Sequence, residues 1–222
     1  MPTLRTFASP PKISSKKRSV GGPGLPAIGE AYGGGFFAGQ ISTTANGVAT
    51  HYLVIAPLSS GQSTLQWKND TTTTPGAESD IDGPQNTADM VADGNSTVYP
   101  CAHFCNDLVI GGYSDWYMPA KNELEVCYFN LKPTTAVNNE SSGINPNAVP
   151  ARASNYTSGN PARTSAAAFQ TGGAQPFVAA IYWSSTEVFG YSAIGQGFDA
   201  GGQNGSFKTD SYRVRAIRRV PV

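Results

Sequence analysis

The stretch Gly111-Gly112-Tyr113-Ser114-Asp115-Trp116-Tyr117-Met118-Pro119-Ala120-Lys121-Asn122-Glu123-Leu124 constrains this chain more than any other, because distant segments answer it. They are Tyr182-Trp183-Ser184-Ser185-Thr186-Glu187 and Tyr212-Arg213-Val214-Arg215-Ala216-Ile217-Arg218-Arg219, both near the C-terminus. A Gly pair ends one helix, an aromatic turn crosses the core, Pro119 opens a second helix, and aromatic strands return much later to cover both. The predicted order is helix, helix, long loop, strands. Trp116 and Trp183 are expected in one core, because large aromatics supply buried area that a loop-rich domain needs.

The first of these helices starts at Pro100, where a missing N–H is harmless, and Cys101, Phe104, Cys105 and Leu108 repeat at i, i+3, i+4 and i+7. In the second, Leu124, Cys127, Tyr128 and Leu131 keep that spacing. Lys121, Asn122, Glu123 and Glu125 are expected to face solvent, and Pro133 blocks continuation. A shorter helix is predicted over 87–92, stopping at Gly94. Ahead of them, 33–41 and 49–56 read as strands joined by a tight hairpin turn at Asn46-Gly47. Residues 59–83 read as loop with a short strand at 65–68. After them, a strand at 179–186, a hairpin of 195–200 with 205–208, and a last strand at 212–217 make a small antiparallel sheet.

Between helices and sheet, residues 132–177 show almost no periodicity, far beyond the usual connection of about 4–6 residues. A loop of that length is functional or disordered. Its isolated Arg152, Tyr156, Arg163, Phe169 and Phe177 are the candidate ligand-binding residues; they equally suit pins that hold a loop to its own domain.

The chain has 25 Gly and 16 Pro among 222 residues and only 14% charged side chains, which describes turns, short strands and ordered loops. No stretch approaches the roughly 20 apolar residues of a membrane span, so no membrane insertion is expected, and no export signal is read at the N-terminus. Three cysteines without such a signal imply reduced, buried thiols. The zero net charge hides an asymmetry. Residues 1–27 hold Arg5, Lys12, Lys16, Lys17 and Arg18 and no acid, which leaves 10 Lys and Arg against 15 Asp and Glu in the rest. With five prolines and the Gly21-Gly22-Pro23-Gly24 run, 1–27 reads as an extended basic arm, and 28–222 as the folded domain.

Catalytic and cofactor chemistry finds little support. Cys101, Cys105 and His103 lack the further ligands a metal site needs, so no metal is expected. His51 and His103 have no nucleophile motif beside them, and Gly33-Gly34-Gly35 lacks the Gly-Lys-Ser/Thr of a phosphate loop, so no cofactor is expected. Asp80, Asp82, Asp89, Asp93 and Glu187 could supply paired carboxylates, but nothing in the sequence sets their separation. The arginines of the last strand lack interleaved stacking aromatics, so nucleic acid is not an expected partner.

The elements Phe104-Cys105-Asn106-Asp107-Leu108, Gly112-Tyr113-Ser114-Asp115-Trp116 with Pro119 and Glu123-Leu124, Tyr182-Trp183-Ser184-Ser185-Thr186, and Tyr212-Arg213-Val214-Arg215-Ala216 resemble the Lcl/DUF1566 family of bacterial and phage proteins over residues 104–220. Members of that family resemble the C-type-lectin-like fold. The resemblance implies an α+β, C-type-lectin-like domain with two main helices, small antiparallel sheets and long loops, preceded by the extended arm. The run 33–41 followed by Val54-Ile55-Ala56-Pro57 is similar to segments that precede this domain in tailed-phage structural proteins. Glu-Pro-Asn, Gln-Pro-Asp and Trp-Asn-Asp, the calcium-dependent sugar motifs of C-type lectins, are absent, and every cysteine precedes residue 128, unlike the formylglycine-generating enzymes of similar fold.

The expected function is therefore that of a non-enzymatic phage virion protein, assembled in the host cytoplasm, as a tail-fibre or receptor-binding tip or a head decoration. Arg5, Lys12, Lys16, Lys17 and Arg18 would attach it to other virion proteins, and the domain would meet a host-surface glycan or protein. Homo-oligomers are expected. The alternative is a cellular carbohydrate- or protein-binding module of the same fold.

Overall fold

The computed structural model describes residues 24–222, so Arg5, Lys12, Lys16, Lys17 and Arg18 lie outside the described residues. From the N-terminal side run β1 (Ala31–Tyr32), β2 (Gly35–Ile41), β3 (His51–Ile55), α1 (Leu58–Gly61), β4 (Gln62–Gln66), α2 (Gly83–Asp93), α3 (Pro100–Asn106) and α4 (Lys121–Leu131). After a 3-10 turn at Ala167–Phe169 come β5 (Ile181–Phe189), β6 (Ser192–Gly197), β7 (Gln203–Phe207), β8 (Ser211–Arg215) and β9 (Ile217–Pro221). The class is mixed α+β. One sheet has the order β1-β2-β3-β9 and is antiparallel; the other has the order β4-β8-β5-β6-β7, with β5 and β8 parallel.

Strand alternation divides the interior into two cores. On β3, Leu53 and Ile55 join Tyr128, Phe169, Phe177, Tyr182 and Phe198 in one, while Val54 joins Trp67, Tyr99, Trp116, Trp183 and Val214 in the other. Trp116 and Trp183 thus share a core as the sequence predicts. Tyr182 and Trp183 are neighbours in sequence but belong to opposite faces of β5.

Helix α4 runs between β2 and the strands β5 and β6, and this placement corrects the solvent-facing side expected for it. Asn122, Glu123 and Glu125 are buried along with Leu124, Cys127, Tyr128 and Leu131. β2 approaches the helix closely. A Cβ at Gly39 would stand 2.4 Å from Asn130 Nδ2 and 2.8 Å from Val126 Cγ1, and Gly39 has φ +138° beside a bulge in the β2–β3 ladder. Asn130 Nδ2 donates to Ala38 O at 2.8 Å, tying the helix to that bulge.

Other boundaries move for local reasons. The β2–β3 hairpin is present, but nine residues separate its strands in place of a tight Asn46-Gly47 turn. Asn46 Oδ1 accepts from Ser42 Oγ and Val48 N–H and organises that longer loop. α3 stops at Asn106, short of the glycines, and Gly111 and Gly112, at φ +64° and +83°, close a turn in which Ile110 and Tyr113 exchange backbone hydrogen bonds of 3.0 and 3.1 Å. The last strand is two strands. It leaves one sheet at Arg215 and enters the other at Ile217, and Ala216 between them bonds Ala56 and Gly61.

Residues 132–177 are irregular, as predicted, yet closely tied down. Glu125 Oε2 accepts from Asn145 Nδ2 at 2.6 Å and Oε1 from Tyr156 O–H at 2.7 Å, and the carboxylate pairs with Arg152. Buried Lys132 donates to Asn138 Oδ1 at 2.6 Å, and Asn138 also accepts from Tyr128 O–H at 2.7 Å. At the far end, Arg215, fully buried, donates to Ala56 O and Gln175 O and lies 5.0 Å from the Phe177 ring.

Candidate functional site

Large apolar side chains gather in water where β5 turns into β6 and along the neighbouring β7. Phe189 and Phe207 are each 59% exposed and Tyr191 50%. The Phe189 and Tyr191 rings lie 5.7 Å apart at 16°, and Tyr191 and Phe207 6.0 Å apart. These rings wall a cleft of about 490 Å³, completed by Ser192, Gly205, Ser206, Asp210 and Tyr212. Exposed aromatics that group around a concavity mark an interaction surface far more often than scattered ones do.

The base of the cleft is fixed by buried charge. Glu187 precedes Val188 and Lys208 follows Phe207; both are buried and pair at 2.6 Å. Burial pulls the Lys208 amine below its ordinary range while Glu187 opposes that pull. Lys208 Nζ also donates to Thr72 O at 2.9 Å and lies 4.6 Å from the Trp67 ring centre. Glu187 accepts from Thr74 N–H at 2.8 Å, and buried Lys68 donates to Thr72 Oγ1 at 2.8 Å, so residues 72–74 are strapped beneath the hairpin. At the tip, a Cβ on Gly190 would meet Thr73 Oγ1 at 2.9 Å.

On the cleft wall, Tyr212 O–H donates to Asp210 at 3.1 Å, and its phenol is pushed up by burial and by that carboxylate. The Tyr212 ring rests 4.8 Å from Trp183, which links the wall to the core. A smaller depression of about 240 Å³ shares Ser206 with it, with Asn139, Asp199 and Asn204 around Gly195 and Gly197. One carboxylate, several hydroxyls and four aromatic rings can hold a ligand by stacking, apolar burial and hydrogen bonding. The cysteine thiols are far from reactive: all three are buried, and burial pushes each well above its usual range.

The model of the Lcl C-terminal domain matches residues 59–218, well over half of the chain. The chain belongs to the Lcl C-terminal domain family. The cleft lies wholly inside the Lcl domain, and β1, β2 and β3 precede it. No curated protein matches the chain. Among solved structures it is similar to a fimbrial protein from Bacteroides ovatus ATCC 8483, at 18% identity and a TM-score of 0.42 over 79% of this chain, and it spans 36% of that one.

Within the Lcl domain, the five candidate ligand residues of the long loop do not come together as a surface. Tyr156, Phe169 and Phe177 are at most 4% exposed and belong to the core, which corrects their expected role to that of pins. The reason is the demand for apolar area: α4 and β5 leave a face that only the loop can cover. Arg152 is half-buried, bonded to Glu125 and 4.1 Å from the Phe129 ring. Arg163 alone is exposed, beside a small depression with Ala136 and Ser158. Sequence reasoning missed Phe189, Tyr191, Phe207 and Asp210. Their signal is Phe189-Gly190-Tyr191, two aromatics astride a turn glycine, where a strand reversal has no core to fill.

Proposed function

We propose that this chain is a non-enzymatic virion component of a tailed phage, a receptor-binding tip, tail-fibre part or head decoration, and that the aromatic cleft is its recognition surface. The observation that carries the reading is the exposure of Phe189, Tyr191 and Phe207 around one cleft on a rigid, charge-strapped base. A domain gains no folding stability from rings left in water, so their grouping points to a partner that covers them. Family membership supports the Lcl/DUF1566 resemblance; the phage assignment rests on the likeness of 33–41 and Val54-Ile55-Ala56-Pro57 to segments of tailed-phage structural proteins. The finer architecture, a C-type-lectin-like fold, is part of the same proposal; helices followed by a long irregular segment and late strands support it. The basic residues Arg5, Lys12, Lys16, Lys17 and Arg18 would bind other virion proteins, and copies would associate on the particle.

Two measurements test this. Antibody-labelled phage particles viewed by electron microscopy should carry the protein at the tail tip or on the head; unlabelled particles would favour a cellular module. Fluorescent protein should attach to host cells, with attachment reduced at least about tenfold in Phe189→Ser/Tyr191→Ser, since buried aromatic anchors dominate interfaces. Attachment untouched by that pair would remove the cleft as the site.

A further inference from the structure

The aromatic cleft ends on an open sheet edge. Among the described residues β7 pairs with β6 alone, and the phase of their ladder follows from its ends: Gly197 N–H donates to Gly202 O at 2.9 Å, and Lys208 N–H to Tyr191 O at 3.1 Å. Hydrogen-bonded pairs alternate along an antiparallel ladder. Asn204 and Ser206 therefore turn their backbone groups toward β6, and Gln203, Gly205 and Phe207 turn theirs outward. Gln203 agrees, because its N–H donates to Ser142 Oγ at 3.1 Å. Phe207 O is taken by Asp210 N–H at 2.9 Å. The N–H and C=O of Gly205 and the N–H of Phe207 remain without a protein partner among the described residues. Gly205 is exposed, which for a glycine means exposed backbone. Natural edges are blunted by Lys, Pro or a bulge; Gln203-Asn204-Gly205-Ser206-Phe207 has none of these.

We propose that the cleft binds an extended polypeptide segment of a partner protein, which adds to β7 as an antiparallel strand and lays a large apolar side chain over Gly205 against Phe207 and Tyr191. This rests on the reading of the cleft as the recognition surface and names what it recognises. The partner residue opposite Gly205 exchanges two backbone hydrogen bonds with it, and the residue two places earlier accepts from Phe207 N–H. Both side chains stand on the cleft side. Asp210 is the only charged group in the lining, so the earlier residue is matched by Lys or Arg.

A second copy of this chain fits less well. Pairing about a two-fold axis at Gly205 would set each copy's Gln203 end against the other's Phe207. Segment 139–142, held beside that end through Ser142 Oγ to Gln203 N–H and Asn139 N–H to Ala200 O, would then run onto the partner copy's Phe207. A glycan could stack on the rings but would leave the backbone groups of the edge unused.

The test selects displayed random peptides on the full chain, with counter-selection on Gly205→Pro, which removes the outward N–H and leaves every aromatic in place. Enriched peptides should share Lys or Arg two residues before a large apolar residue. Titrated by fluorescence polarisation, their synthetic forms should bind Gly205→Pro about tenfold or more weakly. Gly205→Ala should keep binding, since its Cβ meets Ser192 only at 3.5 Å. On the wild-type chain, bound peptide should slow hydrogen exchange at the Gly205 and Phe207 amides, a readout that stands even if the proline variant misfolds. No enrichment, affinity indifferent to Gly205→Pro in a folded variant, or unchanged exchange at both amides overturns strand addition. So does binding of neutral oligosaccharides in place of peptides, or a sedimenting dimer that Gly205→Pro disperses. Host-cell attachment separates the two readings: loss with Phe189→Ser/Tyr191→Ser but not with Gly205→Pro keeps the cleft and overturns the strand, while indifference to both overturns the cleft itself.

Discussion

Glu123 accepts hydrogen bonds from Ala120 N–H at 2.8 Å, Tyr117 O–H at 2.5 Å and Arg219 Nε at 2.7 Å, and Glu125 from Asn145, Tyr156 and Arg152. Each is a buried carboxylate whose donors lose a charged acceptor if it is neutralised. Glu125→Gln is expected to cost about 3 kcal/mol in urea titrations, the range for breaking one side of a buried pair. Combined with Arg152→Met it should cost less than the two separate changes summed; additive costs would show that the pair is uncoupled. Asp115 works differently, with its side chain about half exposed. Hydrogen bonds from Arg218 at 2.6 and 2.8 Å hold its carboxyl below the usual carboxylate range. An acid depressed in the folded state stabilises at pH values above its unfolded pKa and loses that contribution as pH falls through the folded one. Stability should therefore drop as pH falls below about 4, and Asp115→Asn should flatten that part of the profile. A thermal-unfolding profile unchanged by the substitution would refute it. At this scale the sequence misleads for a definite reason: a charged residue on an amphipathic helix is normally solvated, and nothing local tells that Arg152, Tyr156 and Arg219 arrive from far along the chain to meet these carboxylates.

Between residue and molecule, elements with a local cause are legible and those with a remote cause are not. α2, the start of α3 at Pro100, α4, the β2–β3 hairpin and the β6–β7 hairpin all follow from spacing, proline and glycine in their own segments. The Gly111-Gly112 turn does not, because the helix it was expected to end stops earlier and Gly34 sits where a Cβ on Gly111 would fall, at 2.7 Å. Nor does the break at Ala216, since an unbroken alternating pattern gives no sign that two sheets compete for one strand. The aromatic tip falls in the same class: Phe207 sits in a segment read as β and Phe189 just past the strand read at 179–186, in the part of β5 that the sequence does not show, and the exposure of both depends on what is absent opposite them. Gly39 is the sharpest test of a remote cause. Its φ of +138° and its contact with Val126 and Asn130 leave no room for a side chain. Gly39→Ala should lower stability by about 2–3 kcal/mol and loosen α4 against β2. Faster exchange of amides in Val126 to Leu131 would accompany it, and a neutral effect would mean that the bulge can relax freely.

For the molecule as a whole, the question is how much chain makes one folding unit. The Lcl C-terminal domain match begins at residue 59 and leaves β1, β2 and β3 outside. Physical pairing disagrees with that boundary. β9 lies within or just beyond the match and pairs along its length with β3, from His51 opposite Pro221 to Ile55 opposite Ile217. Leu53 and Ile55 fill one core and Val54 the other, all fully buried, so removing β3 opens both cores at once and strips β9 of its hydrogen-bonded neighbour. Each such aliphatic side chain is worth roughly 1.5–3 kcal/mol in burial, and the loss of three exceeds much of a domain's net stability. A chain starting at residue 28 is expected to unfold cooperatively at nearly the full-length temperature, because every core side chain among the described residues lies at position 28 or beyond. One starting at residue 59 should be insoluble or lack a thermal transition by circular dichroism. If instead the 59–222 fragment melts cooperatively, the N-terminal hairpin is an accessory to an independent Lcl domain, and the arm and hairpin together, rather than the arm alone, become the segment available for attachment to a particle.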